Sequence, residues 1–187
     1  SKNTEKFGLN FNLELNELRK GLVPSKKWKL DVKGTRWTPG ETINASIGQG
    51  YMLSNPVELA TMVARIANSK LSIEPTLLSG NTKKFSKLNI NENHLNYIKN
   101  AMSNVVNNEL GTAHKSKLKI KNFKMAGKTG TVQVIRISEE EREKGIIKNK
   151  DREWKKRDHA LFVGYAPLEK PKYSICVIVE HGGSGST

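Results

Sequence analysis

Ala160-Leu-Phe-Val-Gly-Tyr165 and Tyr173-Ser-Ile-Cys-Val-Ile-Val-Glu180 are the two segments that decide the fold, and only a short turn, Pro167 to Pro171, separates them. Both segments are rich in β-branched and aromatic residues, which favour strands. Strands joined by so short a connection lie side by side and run in opposite directions. The sequence therefore predicts an antiparallel hairpin near the end of the chain.

A third strand is predicted between Lys124 and Ile137, a segment that contains Lys128-Thr-Gly-Thr-Val-Gln-Val-Ile135 and is again rich in β-branched residues. Upstream of it, apolar residues recur at a spacing of three to four, which indicates helices. Helices and loops thus come first and at least three strands follow. This order is typical of an α+β fold in which helices flank an antiparallel sheet.

Two helices are predicted from their apolar stripes. The first has Asn55 as its N-cap, Pro56 in its first position and Glu58 three residues after the cap, and it continues to about Asn68. The second extends from about Glu92 to Val106. Each of these helices is expected to bury one face.

The other N-terminal segments are predicted to be largely irregular. Phe7 to Val23 indicates a loop with a short strand, and Ser25 to Gly40 indicates an irregular stretch held by the indoles of Trp28 and Trp37. Thr42 to Tyr51 is a short apolar stretch broken by two glycines, which allow a backbone to turn or to approach a neighbour closely.

A charged excursion, Ser138 to Asp158, separates the third strand from the hairpin. It mixes acidic and basic residues, as solvated and partly helical segments do. Only Ile146, Ile147 and Trp154 are available there for burial, so we expect this excursion to be the most mobile part of the chain. Limited proteolysis should cut it first.

Composition narrows the function classes. The chain has 187 residues, 36% hydrophobic and 27% charged, which fits one ordinary globular domain or a piece of one. Its net charge of +14 invites a nucleic-acid interpretation. However, the basic residues are spread through every segment, and no zinc spacing or aromatic RNA-binding pattern accompanies them. Nucleic acid is therefore not predicted as a partner, whereas attraction to an anionic surface stays open.

Cofactors, disulfides and targeting segments are not predicted either. Cys176 is the single cysteine and lies in a strand pattern, so it is expected to pack inertly. The four histidines have no ligand-type spacing, and the sequence predicts no metal. No apolar run approaches the roughly 18 residues of a spanning helix. Residues Ser1 to Lys6 lack the features of a signal peptide.

Lys128-Thr129-Gly130-Thr131 is the most informative short motif. An ammonium group beside two hydroxyls offers positive charge and hydrogen-bond donors to a carboxylate, and the glycine allows another backbone to approach the strand. A phosphate-binding loop is excluded, because the glycine that should precede Gly127 by five residues is Asn122. From these residues alone, a surface strand with a solvated lysine is an equally good interpretation.

The wider sequence resembles the transpeptidase domain of class B penicillin-binding proteins of the cell-wall elongation machinery. The resemblance covers nearly the whole chain. One departure is the segment Phe11 to Leu15, where the family commonly has a Thr-Gly-Ile-Asp-Leu-Pro pattern. The matching segments are Gly21-Leu-Val-Pro24 with Trp28-Lys29, Pro39-Gly-Glu-Thr-Ile-Asn44, Ser46-Ile-Gly-Gln-Gly-Tyr51, Asn55-Pro56, Leu59-Ala60, Gly111-Thr-Ala113, Ala126-Gly-Lys-Thr-Gly-Thr131, Gln133-Val134, Arg157-Asp-His-Ala-Leu-Phe-Val-Gly-Tyr-Ala-Pro167 and Val179-Glu-His-Gly-Gly-Ser-Gly185.

This resemblance implies a β-lactamase/transpeptidase-like fold and acyl transfer at a serine, without a cofactor. By the resemblance, Lys128 supplies positive charge and a hydrogen bond, and Thr129, Gly130 and Thr131 form the binding strand for a terminal carboxylate. The Thr131 N–H would be half of the oxyanion hole. The implied substrate is the D-Ala-D-Ala end of a peptidoglycan stem peptide, and β-lactams would bind at the same place.

The resemblance also implies partners and a location. The partners would be other cell-wall elongation proteins, and the parent protein would sit in the bacterial inner membrane with a periplasmic catalytic domain. The membrane anchor is expected to be absent from this chain.

The family's other two motifs, Ser-x-x-Lys and Ser-x-Asn, are expected upstream of Ser1. Ser116 to Lys119 matches the first, but it lies too close to Lys128 to form a separate helix facing that strand. Ser79-Gly80-Asn81 and Ser1-Lys2-Asn3 match the second by chance. We therefore expect residues 1–187 to be the C-terminal portion of one transpeptidase domain, inactive alone. A non-catalytic interaction or pseudo-enzyme module of the cell-wall machinery is the alternative.

Overall fold

The computed structural model describes residues 6–9, 19–69, 71–77, 84–135, 139–145 and 147–186. The chain divides into two compact units, Ser1–Asn89 and Ile90–Thr187. The first unit contains α1 (Lys26–Lys33), α2 (Pro39–Ser46) and α3 (Pro56–Asn68), and the second contains α4 (Glu92–Asn107), β1 (Ala126–Val132), α5 (Glu139–Lys144), β2 (His159–Ala166) and β3 (Tyr173–Val179).

The predicted antiparallel sheet is confirmed in the second unit. Its strand order is β1-β2-β3, and each strand is antiparallel to the next. The register aligns Thr129 with Phe162 and Phe162 with Val177. Strand β1 is shorter than the predicted segment at both ends. The α+β fold class expected from the order of the elements is correct.

Helix α4 packs against β1 and forms the core of the second unit. Leu95, Met102 and Val106 are its buried residues, which confirms the predicted apolar stripe. The Asn107 side chain links the helix to the strand region, because its Nδ2 donates to the Met125 carbonyl oxygen over 2.8 Å. Burial, and to a smaller extent the negative charge of Glu169, raises the pKa of Tyr165 on β2 to about 12.

Glu58 fixes the start of α3. The predicted capping box is confirmed, since the Asn55 side chain accepts from the Glu58 N–H and the Glu58 carboxylate accepts from the Asn55 N–H. Glu58 is also fully buried, which the helix pattern did not predict. Its Oε1 accepts from the Gly21 N–H at 3.1 Å, and its Oε2 accepts from Ser54 Oγ at 3.0 Å. One carboxylate therefore joins the helix start to a segment far away in sequence.

The irregular stretch predicted for Ser25 to Gly40 is wrong, because α1 lies within it and α2 begins in it. Capping groups explain the error. Ser25 Oγ accepts from the Trp28 N–H, Gly34 ends α1 in the left-handed region at φ 65°, and the Thr38 N–H donates to Glu41 at the start of α2. Such short polar signals outweigh a weak apolar pattern.

Lys29 is the buried charge that joins α1 to α2. Its Nζ donates to the Arg36 carbonyl oxygen and forms an ion pair with Glu41, at 2.6 Å from each. The hydrogen bond from Lys29, followed by that from the Thr38 N–H, lowers the pKa of Glu41. Each tryptophan makes a contact of its own: the Trp28 ring lies against the ring of Tyr51, and Trp37 Nε1 donates a hydrogen bond to Thr42 Oγ1.

The remaining sequence predictions have mixed outcomes. Gly48 and Gly50 both have φ 75°, so the predicted turn is confirmed, although Thr42 to Ser46 belong to α2. Leu22 pairs with Leu53 in an isolated bridge, while residues 10–18 lie outside the described residues. The charged excursion is helical in part, as predicted, and its greater mobility stays a prediction.

We predict that Glu58→Gln lowers the free energy of unfolding by about 1–3 kcal/mol, because the amide nitrogen of glutamine cannot accept the bonds that one carboxylate oxygen now receives. Urea unfolding of the chain measures the change. Asp31→Asn, an exposed change on α1, is the control and should leave stability within about 0.5 kcal/mol. Equal stabilities for both variants would contradict the role given to Glu58.

Candidate functional site

Lys128, Thr129, Gly130 and Thr131 lie within β1, which is an edge strand of the described sheet. Residues directly opposite each other in a sheet share a face, and neighbours along a strand alternate. Lys128 is aligned with Val163 and Thr129 with Phe162, so the two side chains leave opposite faces of the strand.

The polar groups of this strand are accessible. The side chains of Lys128 and Thr131 are exposed, and Thr129 and Gly130 are half-buried. Lys128 Nζ donates to the carbonyl oxygen of Thr129 at 2.7 Å, so the ammonium group lies against the strand that carries it. Positive charge and hydroxyl groups thus occur together along one sheet edge, as a carboxylate site requires.

Thr112 is a partner of the site that sequence reasoning did not identify. Its Oγ1 is 3.0 Å from Oγ1 of Thr129, and either oxygen can be the donor. Thr112 lies between α4 and the short 3₁₀ helix His114–Ser116. Seventeen residues separate it from Thr129, so no local pattern could have indicated the contact.

Gly185 brings a second backbone against the site strand. A Cβ atom on Gly185 would collide with the carbonyl oxygens of Gly130 and Leu161, whereas a Cβ on Gly130 would meet only the Leu161 side chain. The sequence motif assigned close backbone approach to Gly130, but the approach seen here depends on Gly185, and Gly130 is the residue approached.

An apolar cavity of about 340 Å³ lies over one face of the sheet. Ile175, Val177 and Val179 line it and are 44%, 47% and 53% exposed. Phe162 also lines this cavity and is half-buried.

Ser116 and Lys119 do not form a helical pair. The 3₁₀ helix ends at Ser116, and Lys119 follows in an irregular segment. Ser79-Gly80-Asn81 and Ser1-Lys2-Asn3 lie outside the described residues.

Within the described part of the chain, no cluster of three His, Cys, Asp or Glu side chains is suited to a metal ion, and no helix is long and apolar enough to span a membrane. Cys176 is half-buried, and burial raises the pKa of its thiol.

The family comparison agrees with this geometry. The profile described as the penicillin binding protein transpeptidase domain matches residues 3–187. The chain therefore belongs to the penicillin-binding protein transpeptidase family, which confirms the resemblance found in the sequence.

Within that family, the chain is similar to peptidoglycan D,D-transpeptidases named MrdA. It is 32% identical to MrdA of Acinetobacter baumannii over 97% of this chain and 27% of that protein. It is 33% identical to MrdA of Salmonella typhimurium over 95% of this chain and 30% of that protein. The chain thus spans about three tenths of the length of these curated relatives.

Solved structures agree with the fold. Penicillin-binding protein 2 of Helicobacter pylori, in a complex with MreC, matches with a TM-score of 0.79 and 31% identity over 95% of this chain and 31% of that one. Penicillin-binding protein 2 of Pseudomonas aeruginosa, in a complex with WCK 5153, matches with a TM-score of 0.74 and 30% identity, over 98% and 39% of the two chains. The predicted transpeptidase-like fold is confirmed.

We predict that Gly185→Ala destabilises the second unit by about 1–3 kcal/mol, because the new methyl group meets backbone oxygens that cannot move away as a side chain could. Amide hydrogen exchange of strands β1 and β2 reports the loss. Gly40→Ala is the matched control, since no atom lies within 4 Å of its added Cβ, and it should leave stability unchanged or slightly raised. Unchanged exchange in the Gly185 variant would rule out the proposed close packing.

Proposed function

We propose that this chain is part of a serine D,D-transpeptidase that cross-links peptidoglycan stem peptides, and that it supplies the strand which binds the substrate carboxylate. The observation that carries the proposal is the position of Lys128, Thr129 and Thr131 on the accessible edge strand β1. The transpeptidase profile that spans the chain, and relatives named D,D-transpeptidase, support it.

The substrate in this proposal is a stem peptide that ends in D-Ala-D-Ala. Its terminal carboxylate binds to the hydroxyls of Thr129 and Thr131 and is attracted by the Lys128 ammonium group. Thr112 supports this arrangement, because a bond donated by Thr112 to Thr129 leaves the Thr129 hydrogen available for the ligand. An extended peptide can also pair with the backbone of an edge strand. β-Lactams use the same groups.

The reaction is acyl transfer. The oxygen of a nucleophilic serine bonds to the carbonyl carbon of the penultimate D-Ala, and the C–N bond to the terminal D-Ala breaks. The serine proton passes through a base to the nitrogen of the leaving D-Ala. The Thr131 N–H stabilises the oxyanion that forms on the way. The nitrogen of an acceptor amine then bonds to the same carbonyl carbon, the ester C–O bond breaks, and a proton from the amine returns through the base to the serine oxygen.

The nucleophile in this proposal lies outside residues 1–187. A serine and the lysine that activates it act together when one helical turn separates them. Ser116 and Lys119 are the one Ser-x-x-Lys match in the sequence, and the placement of Lys119 after the end of the 3₁₀ helix argues against that role. Residues 1–187 would then form the C-terminal portion of a single transpeptidase domain.

Partners and location follow from the same proposal. The Helicobacter pylori relative was solved in a complex with MreC. We place the parent protein of this chain among the cell-wall elongation proteins, anchored in the inner membrane with its catalytic domain in the periplasm.

Lys128→Ala should slow acylation by a fluorescent penicillin by on the order of 10²-fold, because the change removes positive charge from the carboxylate site and leaves the core intact. The measurement is made on the whole transpeptidase that carries this chain. Lys124→Ala removes another exposed lysine, just before β1, and should acylate at the normal rate. A Lys128 variant that reacts as fast as its parent would refute the site.

Residues 1–187 alone should form no covalent adduct with penicillin, because they can present the carboxylate site and half of an oxyanion hole but not the attacking serine. Mass spectrometry after incubation detects an adduct as a mass increase. An adduct on any serine, Ser116 included, would show that the nucleophile lies within this chain.

A further inference from the structure

Asp158, the residue just before β2, uses every one of its polar atoms in a hydrogen bond. Its Oδ1 accepts from the Val134 N–H at 3.2 Å, and its Oδ2 accepts from Asn149 Nδ2 at 2.8 Å. Its own N–H donates to Asn149 Oδ1 at 3.1 Å, and its carbonyl oxygen accepts from the Gly183 N–H at 2.8 Å. Asp158 therefore connects the end of β1, the charged excursion and the turn after β3.

The turn after β3 holds the start of β2 at three successive residues. His181 Nδ1 is 3.0 Å from the Arg157 carbonyl oxygen, the Gly183 N–H binds Asp158, and the His181 N–H donates to His159 Nδ1 at 2.9 Å. His181 adopts φ 55°, a conformation that a residue with a side chain keeps only when its contacts enforce it. Asp158 is thus fixed from the β3 side, independently of β1.

Strand β1 needs such an anchor at its Thr131 end. Among the described strands only β2 pairs with it, and the pairing ends at Val132, opposite His159. Thr131 is therefore one residue from the end of an edge ladder, where strands fray most easily. The bond from Val134 to the Asp158 carboxylate extends this ladder beyond its last backbone pair.

We infer that Asp158 is a positioning residue, which holds the Thr131 end of β1 at a fixed distance from β2. Its effect on the reaction rests on the proposed function, because it acts by keeping the Thr131 N–H where the oxyanion develops. In this inference Asp158 acts through Thr131 and does not contact the substrate. A donor displaced by even about 1 Å loses much of its catalytic effect.

The first experiment follows amide hydrogen exchange at residues 131–134 in the chain as it stands. Asp158→Ala should raise exchange there by about 10-fold, because a hydrogen bond to a charged group is lost. Asp158→Asn keeps an acceptor for the Val134 N–H and should recover most of the protection. Asp151→Ala, an exposed carboxylate of the same excursion, is the control and should change nothing.

The second experiment measures acylation by a fluorescent penicillin in the whole transpeptidase, separating the rate constant from the burst amplitude. Asp158→Ala should lower the rate constant by about 10-fold at an unchanged amplitude. Asp158→Asn should be closer to the parent enzyme. Loss of folded protein alone would lower the amplitude and leave the rate constant unchanged, so the two effects are distinguishable.

The outcomes separate this inference from the proposed function. Unchanged exchange at residues 131–134 in the Asp158→Ala protein overturns the inference, whatever happens to acylation. Faster exchange with a normal rate constant also overturns it, because Asp158 would then only stabilise the fold. A parent enzyme that never reacts with penicillin refutes the proposed function, and the exchange data still decide whether Asp158 holds β1.

Discussion

The antiparallel register between β1 and β2 is the constraint on which the candidate site depends. Thr129 lies opposite Phe162, and Lys128 lies opposite Val163. Because side chains alternate along a strand, a slip of one residue would exchange the faces on which the ammonium and the hydroxyl lie. Everything that fixes this register therefore also fixes the chemistry that the strand can present.

Small residues fix the register through close packing. A Cβ on Gly127 or on Gly164 would meet the ring of Phe162, so this ring occupies the space that two glycines leave open. Gly185 then passes against the backbone at Gly130 and Leu161. Contacts between rigid backbones and a ring tolerate little displacement, whereas flexible side chains would tolerate more. The site strand β1 is thus packed closely by two parts of the chain, the Phe162 ring of β2 and the backbone at Gly185.

The first unit is held in a different way, by buried charged side chains that each have two or more hydrogen-bond partners. Glu58 accepts hydrogen bonds from backbone and serine groups, and Lys29 is paired with Glu41. Arg65 donates to the carbonyl oxygens of Lys6, Ser72 and Ile73. A buried charge is tolerated only when such partners are present, and removal of one partner is costly. These groups therefore specify the loops that surround α1, α2 and α3.

The sequence by itself determined the elements whose signals are local. Alternating β-branched residues and a short turn predicted β2 and β3, the capping box at Asn55 predicted α3, and the Lys128-Thr129-Gly130 motif indicated the site strand. The helices within Ser25 to Ser46 were missed because their capping bonds outweigh a weak apolar pattern. Only the tertiary structure decided the contacts between distant segments: Thr112 with Thr129, Gly185 against β1, Asp158 with Asn149 and Val134, and Glu58 with Gly21. Each of these contacts joins residues whose spacing follows no helical or strand period, so it exists only once the chain has folded.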